Sequence, residues 1–413
     1  MRHQSFSFLA IGTFFALVHV GTARDLRNVT EPKTPQACAH LKATGEDDTK
    51  IIQNALDSCA KGKAVALSYG TFYSGPLTIP SGVSLLVESG VMLKAIPDPK
   101  LYDLGENLCG TIDDLGLGCK PFITMHGAKG SGIYGKGTIN GQGGSVMTGS
   151  NITWWHLARN AVAVRKFQNN PRLIQINNSI DITIYQITLK NPPFYHLTAS
   201  ETNGYTVWGI TIQTPTGSLN SDGIDAVGCQ NVTIANCNIS TGDDNIGLKA
   251  LTAPGRYMSV LNTHINRGNS MAIGSETNYG VSDALISGMT INGTYNGIYI
   301  KSNTFRGGRT SNIVFENICI SNVGKPINLD TAYYNMKGNS TPVFQNITLR
   351  NVWVQTNGTI VIHGMSNTNP IVLTLDDVHV PKGTKYSVRH ANITGKWQED
   401  ATGSPCGFAG NGK

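Results

Sequence analysis

The chain has 413 residues, 40% of them hydrophobic and only 14% charged, with 47 glycines and a formal net charge of +6. So low a charged fraction, with much glycine and many β-branched residues, favours a large all-β body over a helical one. The mild positive charge suits a polyanion, but no Lys/Arg run or nucleic-acid motif accompanies it, which argues against nucleic acid; an acidic polysaccharide better suits the exported address read below.

The chain opens with Met1-Arg2-His3, an apolar run from Phe6 to Val20, and Gly21-Thr22-Ala23. A basic start, about 15 apolar residues and a small-residue site make a secretory signal peptide, and the run is short of the ~18–20 residues that span a membrane. The expected division is a signal over 1–23, one body over 24–395 and a tail over 396–413, with the mature protein secreted and extracellular. Asn-x-Ser/Thr acceptors at Asn28, Asn151, Asn177, Asn231, Asn238, Asn292, Asn339, Asn346, Asn357 and Asn392 would be glycan sites in a secreted eukaryotic protein. Asn is also a common turn residue, so some acceptors are expected to be accidental. The eight cysteines point to disulfides in an exported chain. Cys38 and Cys59 bracket a helical segment, and Cys109 and Cys119 flank a short loop, so both pairs are expected to be bonded. Cys229, Cys237, Cys319 and Cys406 stay unassigned. No Cys or His spacing suggests a metal site.

From Asp47 to Cys59 one amphipathic pattern, with Ile52, Ala55 and Leu56 on one face, predicts a short helix that covers an open end of the body. Alternating strands follow at Ala64–Leu67 and Val83–Val87. From Asn177 a repeat becomes legible. Coils start at Asp181-Ile-Thr-Ile, Asn231-Val-Thr-Ile, Asn312-Ile-Val-Phe and their equivalents, recurring every 20–33 residues or so. Short strands with turn residues between them predict a single parallel β-helix. A β-propeller would need roughly 40-residue units of four strands, which fits poorly.

Parallel coils stack ~4.8 Å apart, so a position repeated once per coil draws a column of side chains. Asp222 and Asp243 are 21 residues apart, one coil. The expected column is Asp222, then Asp243 and Asp244, then Asn269 and Ser270, then Tyr299 and Lys301, then Asp330 with Tyr333. Asp in a Gly-Asp-Asp turn is ordinarily a turn residue. Two such motifs one coil apart instead make a carboxylate cluster, which glycosidic-bond hydrolysis needs: one carboxyl protonated, another ionised.

Asn220-Ser221-Asp222-Gly223-Ile224-Asp225, Thr241-Gly242-Asp243-Asp244-Asn245, Gly268-Asn269-Ser270 through Glu276, and Tyr299-Ile300-Lys301-Ser302 resemble the motifs of the polygalacturonases, glycoside hydrolase family 28. The likeness runs from about Val29 to Asn392. Ser74-Gly75-Pro76-Leu77 and Gly135 to Gly144 make it most similar to the bacterial endo-polygalacturonases. The resemblance implies a right-handed parallel β-helix that cleaves α-1,4-linked galacturonan with inversion, needs no cofactor and works on a pectic polysaccharide as a monomer, away from membranes and nucleic acid. It implies Asp243 as general acid, Asp222 and Asp244 as the residues that hold and deprotonate water, Lys301 as a carboxylate ligand, Tyr333 as a sugar platform, and Asn269, Tyr299 and His196 as substrate contacts. His196 reads equally as a hydrogen-bonded histidine at a strand end.

Two departures matter. Gly268-Asn269-Ser270 stands where the family has Gly-His-Gly, and Tyr299-Ile300-Lys301 where it has Arg-Ile-Lys. Tyr cannot replace the planar bidentate bond of Arg to carboxylate, and Asn cannot share a proton as imidazole does. Three functions therefore compete: a hydrolase, weak or shifted to a less charged pectin such as rhamnogalacturonan; a catalytically impaired pectin-binding homologue; and a calcium-dependent pectate lyase, which the hydrolase motifs disfavour.

Overall fold

The computed structural model describes residues 25–400 and Cys406. The proposed signal sequence and the rest of the terminal segment lie outside the described residues. The body is an all-β, right-handed parallel β-helix. One face is an 11-stranded sheet running from Leu77–Thr78 through Ile123–His126, Ile174–Asn177, Leu197–Ser200, Ile224–Val227, Ile246–Lys249, Met271–Ile273, Asn296–Lys301 and Lys325–Asp330 to Thr359–His363 and Lys385–Arg389. A second sheet of 21 strands makes up the remaining faces. Every pairing in the 11-stranded sheet is parallel, so each coil adds one rung.

The period of two along each strand explains the core. In Ile246-Gly247-Leu248-Lys249 the isoleucine and leucine point inward and are fully buried, while Gly247 and Lys249 face out. Ile174, Leu197, Ile224, Ile246, Met271, Ile298 and Ile327 stack the same way, one per rung. Asparagines make the corners. Asn231, Asn312 and Asn346 adopt positive φ, which Asn tolerates, and their amides bond from coil to coil: Asn231 to Asn203 and Asn346 to Asn312.

The expected helix over Asp47–Cys59 forms at Thr49–Ser58 and buries Ile52 and Leu56 at one end of the solenoid. Beyond a single turn at Pro99–Tyr102, a longer helix, Trp154–Ala163, had no sequence-based expectation. Trp154, Leu157, Ala158 and Ala161 are its buried stripe, and the Thr153 hydroxyl caps it by accepting from the His156 N–H. Cys38–Cys59 and Cys109–Cys119 are bonded as expected, and Cys319 pairs with Cys406. Cys229 and Cys237 are buried thiols. The expected tail boundary at 396 falls inside the last coil, because Trp397–Gln398 still pairs with Val378 and His379.

Near its N-terminal end the chain lies as a strap across the second sheet. Asp25 accepts from Thr233 and its N–H bonds the Ser259 hydroxyl, Arg27 reaches Asp25 and Thr206, and Glu31 accepts from Tyr185. Those partners belong to four successive coils.

Candidate active site

The outer face of the 11-stranded sheet carries the chemistry in three columns rather than one. The strand-start column follows from register. Ile174, Leu197, Ile224, Ile246 and Met271 pair in series, and two residues before each lie Arg172, Tyr195, Asp222, Asp244 and Asn269. The middle column holds Asp225, Gly247, Ala272 and Tyr299, which pair directly. At the strand ends are Lys249, Lys301 and Asp330. The expectation that Tyr299 and Lys301 stack over the acids is therefore corrected. They sit across the sheet face, and only the length of a lysine stem lets Lys301 reach back.

Both lysines do reach back. Lys249 Nζ lies 3.1 Å from Asp222 Oδ2 and 2.9 Å from Asp225 Oδ2. Lys301 Nζ lies 2.6 Å from Asp244 Oδ2. Gly247 makes the first contact possible, since a Cβ there would collide with Asp225 Oδ1 and crowd Lys249 Cε. Asp244 accepts two more bonds: Asn269 Nδ2 donates to its Oδ1 at 2.7 Å and the Ser270 hydroxyl at 2.6 Å. Asp222 and Asp244 are 6% and 3% exposed, whereas Asp243 is half-buried and lines the groove. One oxygen from each of the three carboxyls lies within 4.8 Å of the others.

This geometry separates their acidities. Burial, then the charges of Asp222 and Asp244, push the Asp243 carboxyl up to about 8. Burial acts against the charged form of Asp244 too, but Lys301, Lys249 and the hydrogen bonds outweigh it and hold it below the usual carboxylate range. Burial also raises Asp222 and lifts Asp225 to about 7, because one ammonium, Lys249, cannot neutralise both. The cluster thus holds a proton at neutral pH, and Asp243 is the member that presents it to the groove.

The groove over this site has a volume near 820 Å³ and is lined by Asp243, Asn269, Tyr295, Tyr299, Lys325, Asp330, Tyr333 and Tyr334 among others. Tyr299 meets Tyr333 edge-on with centroids 6.1 Å apart, and Tyr333 leans on Tyr334 at 4.2 Å. Lys301 Nζ lies 5.0 Å and 5.1 Å from the Tyr299 and Tyr333 ring centroids. It is 4% exposed and spends its charge on Asp244, so the structure places it beneath the groove wall.

Of the two readings of His196, the structure matches the hydrogen-bonded strand-end histidine and not the substrate contact. It is fully buried, Nε2 lies 2.7 Å from the Thr214 hydroxyl and Nδ1 3.0 Å from the Asp222 carbonyl oxygen. Burial pushes its imidazole down to about 4. It braces the strand that presents Asp222 and touches nothing in the groove. Lys249 and Asp225 were missed as functional residues. Their only sequence signal was the alternation Gly247-Leu248-Lys249 one coil after Gly223-Ile224-Asp225.

A model of glycosyl hydrolases family 28 matches residues 77–401. The endo-polygalacturonase of Pectobacterium parmentieri is 41% identical over 397 residues, 95% of this chain and 98% of that protein. A polygalacturonase of Ralstonia solanacearum is 35% identical, covering 81% of this chain and 73% of that one. The solved polygalacturonase from Erwinia carotovora ssp. carotovora superposes with a TM-score of 0.87 at 40% identity, over 90% of this chain and 100% of that one. An exopolygalacturonase from Thermotoga maritima, 18% identical with a TM-score of 0.76, shares the fold. With its motifs, its coils and its carboxylate cluster all accounted for, the chain belongs to family 28 of the glycosyl hydrolases and is a glycoside hydrolase of the polygalacturonase type.

Proposed function

We propose that the protein is an exported enzyme that hydrolyses α-1,4-galacturonosyl linkages in pectin, with its preference shifted away from fully charged chains. The observation that carries this reading is the placement of Asp243 on the groove within 4.8 Å of two carboxylates pinned by buried lysines, which weakens it as an acid and keeps it protonated. Asp243 protonates the leaving oxygen. Asp222 and Asp244 hold the attacking water and take its proton. Short carboxyl separations ordinarily go with retention. Here the spacing argument yields to hydrogen bonding. Asp244 accepts three hydrogen bonds that weaken it as a nucleophile yet leave acceptor capacity on Oδ2 for a water, which supports water attack and inversion.

The shift in preference rests on Tyr299. Where the family has a guanidinium, this chain presents a ring beside Tyr333 and the half-buried Asp330. Aromatic faces stack on sugar rings without asking for a carboxylate, and Asp330 repels one. The three disulfides support the expectation of export.

The test is product analysis by the purified protein on polygalacturonate, methyl-esterified pectin and rhamnogalacturonan, with Asp243→Asn as control. Turnover by the parent and not by the variant is expected, with the anomer of the first product inverted. Tyr299 and Asn269 also favour a second reading, a pectin-binding homologue without turnover. Binding with no product on any of the three substrates would select it.

A further inference from the structure

Toward the solenoid's helix-capped end, the same sheet face carries a second hollow of about 470 Å³ beneath the loop closed by Cys109–Cys119. It is lined by Arg172, Lys120, Phe194, Gln175 and Asn170, among others, and by no acidic residue. Among the described residues the Arg172 side chain has no hydrogen bond and no ion pair. Its contacts are the rings of Phe194 and Tyr195, at 5.7 Å and 5.4 Å from the guanidinium carbon. Its Nε is buried without a partner, as are Asn170 Oδ1 and Gln175 Oε1 in the same hollow and Thr198 Oγ1 one rung on from Gln175. Asn170, Gln175 and Thr198 are 4%, 5% and 5% exposed. Buried polar atoms are normally satisfied, and four orphans on adjoining rungs mark a surface built to receive polar groups from outside. Lys120, exposed on the loop, also makes no ion pair there.

The hollow is aligned with the catalytic centre. Arg172 occupies the strand-start column two rungs before Asp222, about 10 Å at the usual rung spacing. Tyr195 stands between them, stacked on Phe194 and 5.5 Å from Lys249 Nζ.

We propose that this hollow is an anchoring subsite for an acidic sugar, in which Arg172 and Lys120 take the carboxylate, Phe194 takes a ring face, and Asn170 and Gln175 take the hydroxyls. The proposal rests on the reading of the protein as a pectin hydrolase. It assigns recognition of substrate charge to the hollow, away from the position where Tyr299 has replaced the family's arginine. The preferred chain is then one with a free carboxylate at the anchor and an uncharged or esterified unit beside Tyr299, a partly esterified pectin.

The experiment uses the full chain carrying Asp243→Asn, so that ligands survive. Calorimetry measures binding of an eight-unit galacturonate oligomer and of the same oligomer fully methyl-esterified. The acidic oligomer is expected to bind about tenfold more tightly, in keeping with one charge-assisted contact. Adding Arg172→Gln is expected to abolish that difference while leaving the ester's affinity within about twofold, and Arg172→Lys to retain part of it. Equal loss for both oligomers would mean that Arg172 only supports the fold, and no loss for either would mean that the hollow is not used. Both outcomes overturn the subsite and leave the pectin reading standing. Failure of the Asp243→Asn protein to bind either oligomer would overturn the pectin reading and the subsite together.

Discussion

The two stretches of the groove differ in charge and in surface. Over the carboxylate cluster the groove is acidic and rich in tyrosine, with its buried lysines already neutralised by Asp222, Asp225 and Asp244. Over the helix-capped end the hollow is lined by no acid and holds a guanidinium and an ammonium that make no ion pair among the described residues. Within the cluster, positive charge is structural, holding carboxylates in assigned ionisation states. Away from it, positive charge is free for a ligand. A lysine held in an ion pair with the cluster is unavailable to a ligand, which leaves Lys325 on the groove wall, set over the Tyr295 ring, and Arg172 and Lys120 in the hollow as the cations open to an anionic chain.

The sharpest way to break this contrast is to remove the one proton the cluster offers. Asp243→Asn should lower turnover by about 10²–10⁴-fold on the best substrate, measured by reducing-end release. The parent's activity should fall as pH rises through about 8, where Asp243 ionises. The same shift predicts a stability effect of known sign. The folded-state pKa of Asp243 lies above its unfolded value, so stability is fully present below about 3.8 and is lost as pH rises toward about 8. Asp243→Asn should therefore raise the thermal midpoint, and by more at pH 8 than at pH 5. An unchanged or lowered midpoint would contradict the assigned protonation.

Next in size is the loss of a structural cation. Lys249→Met leaves Asp222 and Asp225 buried together without a countercharge, and should cost about 3–5 kcal/mol in chemical denaturation at neutral pH. The deficit should shrink in acid as the two carboxyls take protons. A loss independent of pH would mean that packing, rather than charge, is what Lys249 supplies.

A smaller effect is expected from returning charge recognition to the cluster. Tyr299→Arg with Asn269→His should raise activity on polygalacturonate about tenfold and on methyl-esterified pectin much less. The two positions flank the same acids, so the double variant should differ from the product of the single effects. No gain in a folded double variant would show that the tyrosine-lined wall has diverged beyond these residues. Smallest of all, replacing both Cys109 and Cys119 by Ser should loosen the loop over the basic hollow, weakening binding of the acidic oligomer a few-fold and leaving turnover of short substrates unchanged.

The sequence made the solenoid legible because inward-facing residues alternate strictly and turn residues return with each coil. Asp222 and Asp243, one coil apart, gave away the cluster for the same reason. What the repeat could not convey was position across the sheet. Tyr299 and Lys301 share a motif with alternating outward side chains, yet one stands in the middle column and the other at the strand end. Loops of unequal length hide such offsets until register is known. Lys249 escaped notice because its partners lie 27 and 24 residues earlier and only the missing side chain of Gly247 clears its path. His196 was ambiguous in sequence because a strand-end histidine can face either way. Its burial is decided by Thr214 and the Asp222 carbonyl, neither of which is marked by a motif.

The strap formed by Asp25, Arg27 and Glu31 has a consequence for how the molecule comes apart. In a solenoid each coil touches only its neighbours, so unfolding can creep inward from an end one coil at a time. The strap ties coils that are not neighbours, bonding Tyr185, Thr206, Thr233 and Ser259 to a single segment. Those coils include the ones that carry Asp222, Asp243 and Asp244. Fraying that begins at either end of the stack therefore meets a block that must open all at once, and amide hydrogen exchange should find the coils of the carboxylate cluster exchanging together.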